Sequence, residues 1–269
     1  MKNHLRHSYI AALILLLLAA VITGCDRTAS ENRDEKEVIQ TVTPVAKPSP
    51  KITVTTLEPT NTPTATPTPT PEPEPDPAAS FYAEEINDGI FARMEGKSFP
   101  AECTTSRDDL RYLHLLYKDL DGKTHEGEMV CNVEIASKLI YIFKQLYEAD
   151  YPIERMVLVD EYDADDMASM SDNNTSCFNY RVVPGTTKIS KHALGMAVDL
   201  NPRYNPYIYT RGGREHIEPD NGEAYVDRSA DFDYKIDKDD LAYKLFTGAG
   251  FSWGGSWNSS KDYQHFQMP

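Results

Sequence analysis

The chain of 269 residues carries a formal net charge of −15 and has a sequence pI near 4.9. This charge argues against a nucleic-acid partner, because phosphate backbones are bound by clustered Lys and Arg. A long segment has a composition that cannot pack, so the length leaves one globular domain of ordinary size.

The N-terminus has the pattern of a secretory signal, with Lys2 and Arg6 before an apolar run over residues 10–22. Such a run is short for a membrane span. It ends in Ile-Thr-Gly-Cys25, which resembles the lipobox of bacterial lipoproteins, where the cysteine is diacylated. We therefore predict a lipoprotein signal peptide at residues 1–24 and a lipid on Cys25 that anchors the protein outside the cytoplasm. The alternative is an ordinary secretory signal with an incidental cysteine.

The next segment is rich in Thr, Pro and Glu and ends in TNTPTATPTPTPEPEPDPAAS. It has no apolar periodicity and cannot bury a core, so residues 25–79 are predicted to be a disordered tether. At ~3.1 Å per residue for polyproline-like chain, this tether could reach on the order of 150 Å.

Residues 80–269 form the predicted catalytic domain. A helix is expected over residues 81–94. The alternating apolar residues of DLRYLHLLYK, before Asp121-Gly122, predict a hairpin with a long loop. EIASKLIYIFKQLYEAD predicts an amphipathic helix, because five apolar residues fall at helical spacing. These are Ile135, Leu139, Ile142, Phe143 and Leu146.

The second half of the domain continues with a strand predicted in RMVLVDEY and a helix over residues 237–247, with Asp237 as its N-cap and Gly248 as its stop. Cys103 and Cys131 could form a disulfide in an exported protein, and Cys177 is predicted to be a small buried hydrophobic residue. The irregular alternation of strands and helices indicates the α+β class.

The most informative stretch is TTKISKHALGMAVDLNPRYNP, which contains His192 and Asp199. An uninterrupted strand would place these two side chains on opposite faces, whereas a bend near Gly195 would let them converge. Imidazole nitrogen and carboxylate oxygen are ligands that zinc accepts. Two candidate metal ligands are therefore available here.

A third candidate ligand, His265, lies in YQHFQM, where Phe266 can face the core while His265 faces the other way. Asp262, three residues earlier, can turn back toward the same centre. A carboxylate there could take a proton from the attacking water and pass it to a leaving amine. Each residue alone is more often structural, but the combination favours a hydrolytic metal site.

The string S-x-H-x-x-G-x-A-x-D followed by D-x-x-H resembles the VanY-type D-alanyl-D-alanine carboxypeptidase and L-alanyl-D-glutamate zinc peptidase family. The residues that carry it are Ser190, His192, Gly195, Ala197, Asp199, Asp262 and His265. WGGSW and NPRYNP are also similar to family members, and the resemblance runs from about residue 110 to residue 267. The family shares a fold with lysostaphin-type peptidases and the hedgehog signalling domain. This implies a small antiparallel sheet that carries the zinc site and is flanked by helices.

The resemblance implies that His192, Asp199 and His265 bind zinc and that Asp262 is the general base. It also implies that Arg181 faces the substrate, where a guanidinium would suit a carboxylate or a developing oxyanion. The alternative for Arg181 is an ordinary ion pair.

Several further residues have two interpretations. Ser190 resembles a family serine that contacts substrate, but its hydroxyl could equally stabilise the loop. Trp253 and Trp257 could wall a pocket or belong to the core. His216 and Glu218 have metal-binding chemistry but match no family ligand, so they are not among the predicted site residues.

The predicted function is hydrolysis of peptide bonds in the stem peptides of peptidoglycan, as a D-Ala-D-Ala carboxypeptidase or an L-Ala-D-Glu endopeptidase. In the family the base is often Glu in enzymes that trim D-Ala and Asp in many endopeptidases, so Asp262 slightly favours the endopeptidase. The alternative is a non-catalytic cell-wall-binding module that keeps zinc for stability. A base beside an open metal position argues against that alternative.

Overall fold

The computed structural model describes residues 75–183 and 186–269. The predicted signal peptide, Cys25 and residues 25–74 of the predicted tether lie outside these ranges. The last tether residues form a turn, in which the Ala79 N–H donates to the Asp76 carbonyl oxygen at 3.1 Å. No helix in the described ranges has the length and apolar character needed to cross a bilayer.

The described residues form a mixed α+β domain with three small antiparallel sheets, which confirms the predicted class. The first sheet has the strand order β1-β2-β3. Its strands are β1 (Tyr82–Glu85), β2 (Leu110–Lys118) and β3 (Thr124–Asn132). Strands β2 and β3 form the predicted hairpin in full register, from Leu110 opposite Asn132 to Lys118 opposite Thr124. The connection at residues 119–123 is a tight turn rather than a long loop. The Asp119 carboxylate stabilises this turn by accepting hydrogen bonds from the backbone N–H groups of Asp121 and Lys123.

The helix predicted over residues 81–94 is wrong in its first half. Residues 82–85 are strand β1, which pairs with β2, and helix α1 is limited to Asp88–Met94. The Asn87 side chain caps α1 by accepting from the Ile90 N–H at 3.0 Å. Pairing with a strand distant in the sequence outweighs the local pattern here.

The predicted amphipathic helix is confirmed as α2 (Val133–Glu148), which packs against the first sheet. All five residues predicted for its apolar face are buried. Asn132 caps the helix by accepting from the Glu134 N–H at 3.0 Å. The core formed under α2 extends to Val198 and Phe266, which lie in the strands of the second sheet.

RMVLVDEY does not form the predicted strand. It runs extended with a single bridge between Arg155 and Asn174 and then enters a 3-10 turn over Val159–Tyr162. The Asn174 side chain takes the place of a partner strand, accepting from the Val157 N–H at 2.9 Å and donating to the Val157 carbonyl oxygen at 3.0 Å. These bonds satisfy the backbone without a ladder.

Two short helices follow, α3 (Asp166–Ser171) and α4 (Leu241–Gly248). The predicted N-cap Asp237 is wrong by one turn. Asp240 caps α4 instead, because its carboxylate accepts from the backbone N–H groups of Ala242 and Tyr243 at 2.8 and 3.3 Å. Gly248, predicted as the stop after residue 247, is instead the last residue of the helix, and Ala249 is its C-cap.

The other two sheets surround the predicted site. One has the order β4-β9-β7 and the other β6-β5-β8. Their strands are β4 (Ala197–Asp199), β5 (Tyr207–Arg211), β6 (Arg214–Glu218), β7 (Ser252–Trp253), β8 (Ser260–Asp262) and β9 (His265–Gln267). Asp262 and His265 therefore belong to different sheets, although only Tyr263 and Gln264 separate them.

The cysteines of the described ranges are free thiols, so the possible Cys103–Cys131 disulfide is not formed. Cys131 is fully buried beneath α2, whereas Cys103 packs against a separate apolar cluster that contains Ile90. Cys177 is 2% exposed and fulfils the prediction of a small buried residue.

Candidate active site

The three predicted metal ligands converge on one buried point. His192, Asp199 and His265 each offer one ligand atom, and these atoms lie within 4.8 Å of one another. His192 Nε2 is 3.1 Å from Asp199 Oδ2 and 3.2 Å from His265 Nδ1. His265 Nδ1 is 2.9 Å from Asp199 Oδ1. Two imidazoles and one carboxylate thus face one another.

The bend predicted near Gly195 is present and turns His192 toward the sheet. Residues His192–Leu194 form a 3-10 turn, and Gly195 follows in the left-handed region with φ +65°. A Cβ at Gly195 would lie 2.6 Å from the Asn132 backbone nitrogen. Glycine therefore meets two requirements here, the positive φ and the close approach of β3.

Sheet register brings the other two side chains together. Asp199 in β4 lies directly opposite His265 in β9. Directly opposed residues of an antiparallel pair project to the same face. Phe266, the next residue, is fully buried on the other face, as the alternation of the sequence predicts.

Hydrogen bonds on the far side of each imidazole fix its tautomer. His192 Nδ1 lies 2.7 Å from the carbonyl oxygen of Cys177, which can only accept, so Nδ1 carries the proton and Nε2 has a free lone pair. His265 Nε2 donates to Gln267 Oε1 at 3.0 Å, which leaves Nδ1 unprotonated. Outer contacts of this kind orient imidazole ligands in metal proteins.

Asp199 is the charged member of the cluster. Burial by itself raises the pKa of Asp199, but the coulombic attraction and hydrogen bonds that His192 and His265 would offer if protonated outweigh it and hold this pKa well below its usual range, and a bound cation would take their place beside the neutral imidazoles. The carboxylate is therefore ionised. A buried anion beside two imidazole lone pairs is an arrangement that suits a cation.

Asp262 lies at the end of β8, beside this cluster. Its Oδ1 atom is buried and has no hydrogen-bond partner among the described residues. Burial raises the pKa of Asp262, and the nearby Asp199 adds to this increase, while His265 and Arg181 oppose it. A carboxyl with a raised pKa can hold and release a proton near neutral pH.

Gly254, from the WGGSW segment, determines how closely Asp262 and His265 can pack. A Cβ at Gly254 would lie 2.6 Å from the Asp262 carbonyl oxygen and 3.3 Å from the His265 Cβ. A larger residue at this position would force Asp262 to shift and would crowd His265.

A cavity of about 540 Å³ opens over the cluster and is lined by His192, Asp199, Asp262, His265, Arg181 and Ser190, which are all of the predicted site residues apart from Cys25. Arg181 forms the ordinary ion pair of its alternative interpretation and also lies where the substrate-facing role would need it. It pairs with Asp166 at 2.7 Å, and it also lines the cavity with an Nε that has no partner among the described residues. The Ser190 hydroxyl accepts from the His192 N–H at 3.2 Å, which supports its loop-stabilising role.

The family comparison fits this geometry. A family model described as D-alanyl-D-alanine carboxypeptidase matches residues 184–268. The chain is similar to these carboxypeptidases over that segment. The segment includes the three converging side chains, Asp262 and Ser190, whereas Arg181 lies just before it. No curated protein and no solved structure matches the chain significantly.

The two tryptophans near the carboxypeptidase-like motif have different positions. Trp253 is buried in the core and donates from its indole N–H to the Tyr263 carbonyl oxygen at 2.9 Å. Trp257 lines the cavity, with its ring centroid 5.4 Å from that of His265. Only Trp257 therefore walls the pocket.

Sequence reasoning missed Gln264 as a cavity residue and considered Glu218 only as a metal ligand. Gln264 and Glu218 both line the cavity, and the Gln264 Oε1 atom is buried without a partner among the described residues. Glu218 lies outside the metal-competent cluster, as predicted, and its Oε1 accepts from the Tyr209 hydroxyl at 2.7 Å. The position of Gln264 between Asp262 and His265 could have indicated it. Glu218 reaches the cavity only through the hairpin of β5 and β6, which was not predicted.

Proposed function

We propose that this protein is a zinc-dependent peptidase that hydrolyses peptide bonds in the stem peptides of peptidoglycan. The observation that carries this proposal is the convergence of His192 Nε2, His265 Nδ1 and the Asp199 carboxylate. The other nitrogen of each imidazole is held by a hydrogen bond to an acceptor outside the cluster. The match to the carboxypeptidase family model over residues 184–268 supports the reaction class.

The side chains present fit a catalytic zinc ion. Two imidazole nitrogens and one carboxylate are a ligand set that zinc accepts, and three protein ligands leave a position open for water and substrate. The ion would be held by His192, Asp199 and His265. When bound, zinc supplies Lewis-acid chemistry, which activates water and polarises the scissile carbonyl.

The remaining steps fall to residues of the cavity wall. Asp262 takes a proton from the attacking water and passes it to the leaving amine, a role that suits a buried carboxyl with a raised pKa. Arg181 supplies a guanidinium for a substrate carboxylate or for the developing oxyanion. Ser190 positions His192 by accepting its backbone N–H.

The scissile bond is either D-Ala-D-Ala, as the description of the family model names, or L-Ala-D-Glu, which an aspartate base slightly favours. The experiment is digestion of purified peptidoglycan by the full-length protein, with mass spectrometry of the products. Release of free D-Ala identifies a carboxypeptidase, and a new N-terminal D-Glu identifies an endopeptidase.

Metal dependence is tested in the same assay. A chelator should abolish release, and zinc should restore it. Tight zinc binding without cleavage of any stem peptide would favour the non-catalytic cell-wall-binding module instead. We also propose that the domain has the hedgehog-type fold that the family resemblance implies.

The proposed location is the outer face of the bacterial cell membrane. A lipid on Cys25 would hold the protein there, and residues 25–79 would let the domain reach the cell wall. Cys25→Ala should release the protein from membranes or leave an unprocessed precursor. An altered protein that fractionates and migrates like the original would contradict the anchor.

A further inference from the structure

One face of the hairpin formed by β5 and β6 carries a continuous series of side chains. Three cross-strand pairs lie on this face, because residues two apart in a strand point the same way. The pairs are Tyr207–Glu218, Tyr209–His216 and Arg211–Arg214. Ring contacts agree with this, since Tyr209 stacks on Tyr207 at 4.7 Å and on His216 at 5.1 Å between centroids. We call these six residues the hairpin face.

The hairpin face begins at the candidate active site. Tyr207 lies opposite Glu218 on one side and opposite Asp262 on the other, so the three residues form one row across the sheet. Tyr207 and Glu218 also line the cavity. The hydrogen bond from the Tyr209 hydroxyl to Glu218 continues the row toward the hairpin tip.

The tip of the face is positively charged. Arg211 and Arg214 lie directly opposite each other, both are exposed, and neither forms an ion pair with another described residue. Gly212 and Gly213, with φ of +60° and +74°, form the tight turn that holds the arginines opposite each other. Directly opposed like charges destabilise a hairpin. The pair thus has a cost that an anionic ligand would remove.

We propose that the hairpin face extends the substrate cleft and that Arg211 and Arg214 bind carboxylates of the peptide portion of peptidoglycan, beyond the scissile bond. This inference rests on the proposed function. Guanidinium groups recognise carboxylates through paired hydrogen bonds, and the aromatic pair between tip and cavity offers a flat surface for the intervening chain.

The reach of the hairpin determines which substrates can use the arginines. At ~3.4 Å per residue, the face extends about 14 Å from Tyr207 to Arg211. An extended peptide needs about four residues to cover that distance. A stem-peptide fragment of two or three residues bound at Asp262, the short stem peptide used below, therefore cannot reach the arginines, whereas cross-linked polymer can.

The test compares full-length protein carrying Arg211→Gln and Arg214→Gln with a matched control carrying Lys123→Gln and Lys238→Gln. The control removes two exposed cations elsewhere and so has the same net charge. Binding is measured by co-sedimentation with peptidoglycan stripped of phosphate polymers, with Asp262→Asn added to both proteins to prevent cleavage. Hydrolysis of a short stem peptide is measured with Asp262 intact.

We expect the arginine variant to bind stripped peptidoglycan about 3- to 10-fold more weakly than the control, as suits two exposed charge contacts. Hydrolysis of the short peptide should be unchanged. The difference should disappear on peptidoglycan whose carboxylates have been amidated, and it should shrink at high salt.

Equal binding of the two proteins to stripped polymer would overturn the inference, and so would a difference that persists on amidated polymer. Slower hydrolysis of the short peptide would overturn it as well, because the arginines would then act on the site itself. Failure of the unaltered protein to cleave any stem peptide would instead count against the proposed function.

Discussion

The two sides of the candidate active site differ in how their polar atoms are satisfied. On the ligand side, His192, Asp199 and His265 are buried, and both imidazoles are held from behind by an acceptor. On the reactive side, Asp262, Gln264 and Arg181 each have a buried polar atom without a partner among the described residues. These are three of the four such side-chain atoms in the described ranges, and all three residues line the cavity.

This difference indicates a division of labour. On the ligand side, the hydrogen bonds that orient the imidazoles are already formed before substrate binds, so the fold sets the geometry of this side. The reactive side has hydrogen-bonding capacity left over, and leaving it unused in a buried place is costly. We infer that substrate or water completes it, and substitutions on each side can separate the two roles.

The largest effect is expected from removing a ligand. His265→Ala should reduce bound zinc from one per chain to almost none and reduce hydrolysis to background, because only two donors would remain. Added zinc should no longer raise the melting temperature. Elemental analysis and thermal unfolding measure both. His125→Ala, a histidine paired with Asp119 away from the cavity, is the control and should keep its zinc.

Asp262→Asn should distinguish the role of the general base from that of the metal ligands. The amide cannot accept a proton near neutral pH, so turnover should fall ~10²- to 10⁴-fold. Zinc content should not change, because no coordinating group is removed. The measurement pairs zinc analysis with turnover of a stem peptide. Loss of zinc would make Asp262 a ligand, and unchanged turnover would assign the base role to another residue.

Arg181→Gln tests the substrate side and should lower kcat/KM by about 10- to 100-fold, within the range for loss of a charged contact. A rise in KM would assign the guanidinium to a substrate carboxylate, and a fall in kcat would assign it to the oxyanion. Asp166→Asn is the control, since it removes the ion pair and keeps the guanidinium. Equal losses in both variants would show that the ion pair itself is what matters.

A smaller effect is expected from the turn that positions His192. Gly195→Ala should destabilise the protein by about 2 to 4 kcal/mol, from the left-handed conformation together with the clash with β3. Gly96→Ala is a matched control, because Gly96 has φ +75° but a Cβ at this position would have no other atom within 4 Å. It should cost about 1 to 2 kcal/mol. Denaturant unfolding gives both values, and only Gly195→Ala should weaken zinc binding.

On the ligand side, the face of each side chain could be predicted because it is set locally, whereas the convergence of the three was implied by the family resemblance, since Asp199 and His265 meet only through the pairing of β4 with β9. Gly195, between His192 and Asp199, indicates the turn that brings these two side chains together. The alternation around Phe266 predicts that His265 points to the face opposite the core. Helix α2 was predictable for the same reason, since its apolar residues follow a single period. In each case neighbouring residues determine the outcome.

The reactive side was less predictable because it depends on pairing between distant segments. Glu218 and Tyr207 reach the cavity only because β5 pairs with both β6 and β8. Strand β1 was mistaken for helix, since its partner β2 lies beyond α1. The strand expected in RMVLVDEY failed because the Asn174 side chain takes the place of a neighbouring strand, which no periodicity reveals.

The positions of the three proposed ligands along the chain would give a bound metal a second consequence. Asp199 and His265 are 66 residues apart. An ion that joins them acts as a cross-link, and closing a loop of that length with a disulfide would stabilise the fold by on the order of 4 kcal/mol in the chain-entropy description. The cysteines of the described ranges are free and form no such link. Zinc would thus cross-link β4 to β9, so that loss of the ion would lower the stability of the domain as well as abolish its activity.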